Sequence, residues 1–158
     1  MLRTVVLSLA ILAPTLLPAE GPPPQPLRES SVEALQVLLE DERKTEALYA
    51  AVIKKHGEVR PFSNIIQAER HHQRALEGLM QAHGVEVPPN LWQAKTAKSP
   101  DSFAAACQAS AQAEIENVAL YDQLMKTVVE PDLLAVFERL RWASQERHLP
   151  AFQRHSNP

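Results

Sequence analysis

A chain of 158 residues fits one domain of ordinary size. Its formal net charge of −3 gives no basic surface and argues against a nucleic-acid partner. A single cysteine, Cys107, excludes an internal disulfide framework; lying among alanines in FAAACQAS, it reads as a small buried core residue.

The first 19 residues, MLRTVVLSLAILAPTLLPA, carry one early cation, Arg3, then an apolar run broken by Pro14, and end on the small Ala19. That layout predicts a secretory signal peptide over 1–19. It is too short and too proline-broken for a membrane span, the alternative being a retained N-terminal anchor. Loss of Arg3 on cleavage takes the net charge from −3 to −4. The expected destination is outside the cytoplasm, a bacterial periplasm fitting best, with no stable membrane span left in the mature chain. Residues 20–29, EGPPPQPLRE, form a stiff, Pro-rich exposed arm with no core pattern.

Four helices follow. The first is predicted over 30–56: SSVE offers a capping box of Ser30 with Glu33, and Gly57 supplies the stop. Its apolar stripe is Leu35, Leu38, Leu39, Tyr49, Val52 and Ile53, with Glu42 in the gap and Glu46 a weaker companion. The second is predicted over 61–83, with Pro61 in its first turn and Gly84 at its end. The third opens at SPDSF, with Ser99 as cap, Pro100 at the first position and Asp101 at the positive helix end, and runs to Val128. Its stripe is Phe103, Ala106, Ser110, Glu114, Asn117, Tyr121, Leu124 and Val128. The fourth is predicted from Pro131 to Leu149, with Leu134, Phe137, Leu140 or Arg141, Ser144 and His148 facing inward. No segment shows sustained strand-type alternation. Short connections make antiparallel neighbours, and the 16-residue link GVEVPPNLWQAKTAKS is long enough to cross a bundle. The expected fold is therefore all-α: a four-helix bundle of two antiparallel hairpins joined by a long crossover, spanning 30–152, with 153–158 as a tail.

The two halves match. Glu42 precedes Tyr49 by seven residues, and Glu114 precedes Tyr121 by seven; two turns put each tyrosine on its glutamate's face. The partner helices carry Glu69 with His72 and Gln145 with His148, each spaced by three. The midpoint of Glu42 and His72 is residue 57, in the first hairpin turn, and that of Glu114 and His148 is residue 131, in the second. All these groups therefore meet at one level inside the bundle. A buried carboxylate without a partner costs several kcal/mol, and three at one level repel unless cations neutralise them. A Glu from each of two helices and a Glu-x-x-His from each of the other two is the donor set of di-iron and di-manganese bundles. The defect here is Gln145, a neutral amide where a second Glu belongs. Glu146 is the fallback, but it sits about 100° around the helix.

From Leu38 to Phe152 the chain resembles the ferritin-like superfamily, which includes rubrerythrins and bacterioferritins. EDERKTEALY, NIIQAERHHQRAL, AEIENVALYDQL and ASQERHLPAF, one on each helix, carry the resemblance. Within the superfamily it is most similar to a group of bacterial ferritin-like domains of unknown function, which similarly carry a Glu-x-His-Leu run on the last helix, here Glu146-Arg147-His148-Leu149, followed by Phe152. The resemblance implies a central metal pair, usually iron, with Glu42, Glu69, His72, Glu114 and His148 as ligands. Gln145 would be a weak ligand or none, leaving one tight ion or an unequal pair as alternatives to a symmetric centre. Tyr49 and Tyr121 would orient carboxylates through their hydroxyls.

The remaining polar and aromatic residues read differently. His56 and His83 end helices, where a cation suits the dipole; His71 and the tail's His155 read as solvated. Trp92 and Trp142 read as packing residues, and Glu40 and Asp41 as solvent-facing. The functional expectation is an exported protein binding iron, or less readily manganese or zinc, and oxidising Fe(II) with dioxygen or peroxide. No rubredoxin-type cysteine pair is present as an in-chain electron donor, and no cage-forming surface is legible. The alternative is a non-catalytic module of the cell envelope that sequesters metal or binds a partner through its helices.

Overall fold

The computed structural model describes residues 26–92 and 97–156, so the signal peptide expected over 1–19 and most of the arm lie outside the described residues. Helices α1 (Glu29–His56), α2 (Phe62–Ala82), α3 (Phe103–Leu124) and α4 (Pro131–Ala143) form an all-helical four-helix bundle. From α4 the chain continues through a π turn, Ser144–His148, into a last short helix, α5 (Leu149–Gln153). α1 and α2 form one hairpin and α3 with α4–α5 the other; residues 83–102 separate them in sequence, 93–96 lying outside the described residues. No helix among the described residues is long and apolar enough to cross a membrane.

The helix ends show where tertiary partners override local signals. Ser30 does not cap α1. The helix starts at Glu29 with no side-chain cap. Ser30 Oγ instead donates to the Thr127 carbonyl at 3.0 Å, and Ser31 Oγ donates to Glu130. Both hydroxyls thus tie α1 to the α3–α4 turn. Pro61 is the residue before α2 rather than in its first turn. Ser99 and Pro100 do not open α3; Ser102 is the cap, its hydroxyl accepting from the Ala105 N–H at 3.1 Å. The expected cap segment is held elsewhere, with Asp101 paired to Lys55 at 2.7 Å and the Pro100 carbonyl 3.2 Å from His56 Nε2. α3 stops at Leu124, short of Val128, because the Thr127 N–H and hydroxyl both take the Leu124 carbonyl. Gly57, at φ 87°, ends α1 in a conformation that favours glycine.

The fourth helix runs past its expected end at Leu149, and not as a plain α-helix. The Leu149 N–H bonds to the Ser144 carbonyl, five residues back. Pro150 has no N–H to give the Glu146 carbonyl, and its ring crowds that carbonyl in the α register. A widened turn immediately before it relieves both problems.

Two apolar clusters fill the bundle. One contains Leu35, Leu38, Leu39, Leu76, Met80, Phe137 and Leu140. The other contains Tyr49, Val52, Phe62, Ile65, Ile66, Cys107 and Phe152. Phe152 lies with its ring centroid 5.0 Å from that of Phe62 and 5.2 Å from that of Tyr49, so α5 is part of the core. Between the clusters, on every helix, lies a polar layer: Glu42, Glu69 with His72, Glu114, and His148. Cys107 is fully buried, as expected. Trp142 is not a packing residue: it is half exposed, with the Arg147 guanidinium 5.1 Å above its ring. Asp41 is not free in solvent either; Asn117 Nδ2 donates to it at 3.0 Å.

Candidate metal centre

Glu42, Glu69, His72, Glu114 and His148 converge in the polar layer, each 5 % exposed or less. They form two triads, Glu42–Glu69–His72 and Glu69–Glu114–His148, whose donor atoms lie within 4.8 Å of one another in each. Glu69 belongs to both. Its Oε2 lies 3.5 Å from His72 Nδ1 and its Oε1 lies 3.1 Å from His148 Nδ1. One carboxylate thus addresses the two halves with its two oxygens. The imidazoles of His72 and His148 stack at 5.4 Å, inclined by 18°.

The outer carboxylates repeat one pattern. Glu42 Oε1 accepts from the Tyr121 hydroxyl at 2.8 Å while its Oε2 faces His72 Nδ1 at 3.1 Å. Glu114 Oε1 accepts from the Tyr49 hydroxyl at 2.6 Å while its Oε2 faces His148 Nδ1 at 3.5 Å. The tyrosines therefore act crosswise: each holds the glutamate of the other hairpin, not the one on its own helix. Asn117 adds a link that sequence reading missed, its Nδ2 reaching Asp41 at 3.0 Å and Glu42 Oε1 at 3.4 Å. Its place in the inward stripe, three residues after Glu114, was the available signal.

Packing charges this closely shifts their protonation. Burial and the neighbouring Glu69 charge push Glu42 up to about 7. Burial also pushes Glu69 up, but the imidazoles of His148 and His72 outweigh it and hold Glu69 below its ordinary value. For the imidazoles burial pulls downward, and the carboxylates more than offset it: Glu42 and Glu69 hold His72 up at about 10, and Glu114 and Glu69 hold His148 up at about 9. Burial, with the Glu114 charge beside Tyr49 and the Glu42 charge beside Tyr121, keeps both phenols protonated far above their usual range, so both remain donors.

The donor set fits divalent metal. Carboxylate oxygens and imidazole Nδ1 atoms suit iron, manganese or zinc. Glu69 Oε1 and His148 Nδ1 are buried and make no hydrogen bond although they are 3.1 Å apart. Two mutually close, unsatisfied buried donors are what a cation between them would engage.

Gln145 is not brought to the centre. Its Oε1 accepts from Arg141 Nη1 at 2.6 Å, and Arg141 also clasps Asp122. The π turn, with more residues per turn than an α-helix, rotates position 145 away from His148. Ser144, expected to face inward, is buried at 1 % exposure. Glu146 is exposed, and Glu46 faces outward to accept from Arg70 at 2.6 Å and Gln73 at 2.8 Å. His71 is exposed, His83 pairs with Asp132 at 2.7 Å, and His155 stands edge-on to Phe103 at 6.0 Å. Trp92 Nε1 donates to Glu40 at 2.6 Å.

No family model matches the chain, and no curated protein matches it. Among solved structures it is similar to a hypothetical protein from Methanococcus jannaschii, with 22% sequence identity, 87% of this chain and 86% of that chain covered, and a TM-score of 0.75. At that identity the likeness is one of fold, and it places the chain among four-helix bundles of the same architecture.

Proposed function

We propose that this chain is an exported ferritin-like protein whose bundle holds a pair of metal ions, iron by preference. The observation that carries the reading is Glu69, one buried carboxylate shared by two Glu–His triads. A lone Glu-x-x-His on a helix is commonplace; two triads meeting at one carboxylate is a built arrangement. Glu42 and His72 would hold one ion, Glu114 and His148 the other, with Glu69 between them. Tyr121 and Tyr49 fix the outer oxygens of the two terminal glutamates, leaving Oε2 of each directed toward its histidine. The five donors are each 5 % exposed or less, so bulk solvent has little access to the layer. Bound iron would supply one-electron oxidation chemistry toward dioxygen or peroxide.

A second reading is favoured by Gln145, an amide where a fourth carboxylate belongs and one turned out to Arg141: with three carboxylates in place of four, the centre would retain metal without turning over. One experiment separates the two. The mature chain is loaded with Fe(II) anaerobically, iron per chain is measured, and air or peroxide is then admitted. The metal reading fails if no iron is bound. Bound iron that oxidises no faster than free Fe(II) removes the oxidase reading and leaves sequestration. Export is tested by the mass of the protein recovered from the periplasm, which should begin at Glu20.

A further inference from the structure

We infer that a pocket between α1 and α3 binds a small organic ammonium ion, its charge at Asp41 and Glu116 and its hydrocarbon against Leu48, Ala113 and Trp92. The site lies outside the carboxylate–imidazole layer and needs no metal. Three segments build it. Asp41, Thr45 and Leu48 stand on successive turns of one face of α1. Ala113 and Glu116 stand one turn apart on α3. Trp92, between the two hairpins in sequence, adds a third wall, and its Nε1 donates to Glu40 at 2.6 Å, which anchors the indole to α1.

The charges around the pocket do not balance. Asp41 and Glu116 are two anions, and Lys44 is the one cation in the lining. Its Nζ lies 3.9 Å from Asp41 Oδ1 and its side chain is 58% exposed, so the pair is long and open to water and contributes little. Asp41 is the more sheltered partner, and only its Oδ2 is engaged by the Asn117 amide, at 3.0 Å. Asn117 is buried, and its own Oδ1 makes no hydrogen bond. The polar side of the site is thus rich in acceptors and short of donors.

An ammonium group brings three donors, one positive charge and no acceptor, which is the complement of that lining. The other walls select an organic cation over an inorganic one. Leu48, Ala113 and the Trp92 indole favour an alkyl chain, and an aromatic ring also attracts a cation, whereas a hydrated divalent ion gains nothing from aliphatic walls. The pocket measures about 190 Å³, below the roughly 300–1,000 Å³ of sites for drug-sized ligands, so its occupant is small.

The test titrates the metal-free protein with n-butylammonium and follows the indole N–H signals of its two tryptophans, Trp92 and Trp142, by nitrogen-edited NMR. The Trp92 signal should move along a single saturable isotherm while that of Trp142 stays in place. Butanol, which lacks the charge, and ammonium ion, which lacks the chain, should each bind roughly tenfold or more weakly. Glu116→Gln, at an exposed position, should weaken butylammonium several-fold, and Ala113→Leu, which fills the pocket, should abolish the response. Circular dichroism confirms that each variant is folded. No saturable movement of Trp92 overturns the site. Butanol binding as tightly as butylammonium overturns the role of the carboxylates, and ammonium ion binding as tightly overturns that of the apolar walls. Unchanged affinity in Glu116→Gln overturns the assignment whether or not Ala113→Leu folds. Since no metal is present in the titration, failure of the chain to bind iron would remove the metal reading and leave this site standing.

Discussion

Glu69→Gln separates a shared centre from two independent ones. The substitution keeps the side chain's size and removes one negative charge. Glu69 is the only residue in both triads, so each site loses one of its two carboxylates. Residues that merely hold ligands contribute about 10–100-fold to metal affinity, so about 100-fold per site, or ~2.8 kcal/mol, is a lower limit for a direct ligand. Applied twice, that is on the order of 10⁴-fold, or about 5–6 kcal/mol, for the pair. Glu42→Gln strips only the Glu42–Glu69–His72 triad and leaves the other complete. The expected stoichiometries are two ions in the wild type, one in Glu42→Gln and none at micromolar metal in Glu69→Gln. Calorimetric titration with Mn(II), backed by elemental analysis of the dialysed protein, reads this directly. Retention of both ions at unchanged affinity in Glu69→Gln would refute the shared-carboxylate reasoning. So would equal losses in the two variants.

Other expectations follow from the same geometry. In a Glu114→Gln background, where only the Glu42 triad remains, Tyr121→Phe should weaken the surviving ion by about 10–100-fold and Tyr49→Phe should not, because the tyrosines act across the hairpins; competition with a fluorescent chelator measures both. Gln145→Glu should leave metal stoichiometry unchanged, since Arg141 already holds position 145 outward, and a rise in ions per chain would contradict that placement. Phe152→Ala should cost about 3–5 kcal/mol of stability in urea unfolding, as expected for a fully buried ring packed on Tyr49 and Phe62. Burial pushes the Cys107 thiol up to about 11, so it is protonated at pH 8 and should react with a disulfide reagent only after unfolding; rapid labelling of the native protein would be the contrary result.

The sequence by itself determined the helices, their pairing and the five residues that converge. It did so because helical periodicity writes burial into the chain: Leu38, Leu39, Tyr49 and Val52 on α1 flank Glu42 on the same inward face. Equal distances from two hairpin turns then set Glu42 beside His72 and Glu114 beside His148. Only the tertiary structure decided the rest. Helix ends moved by one to four residues because Ser30, Ser31, Asp101 and Thr127 found partners away from the sites that local capping rules assign. The crosswise tyrosines depend on which helices face each other, which spacing along one helix cannot express. The fate of Gln145 turned on a change of helical pitch. Three-residue spacing from His148 puts it near the inward face of an α-helix, but Pro150 favours a wider turn, in which position 145 swings out to Arg141 while Ser144 stays buried as its place in the stripe predicts. The sequence spelled out the donors; the pitch of one turn decided that the Gln145 amide does not join them.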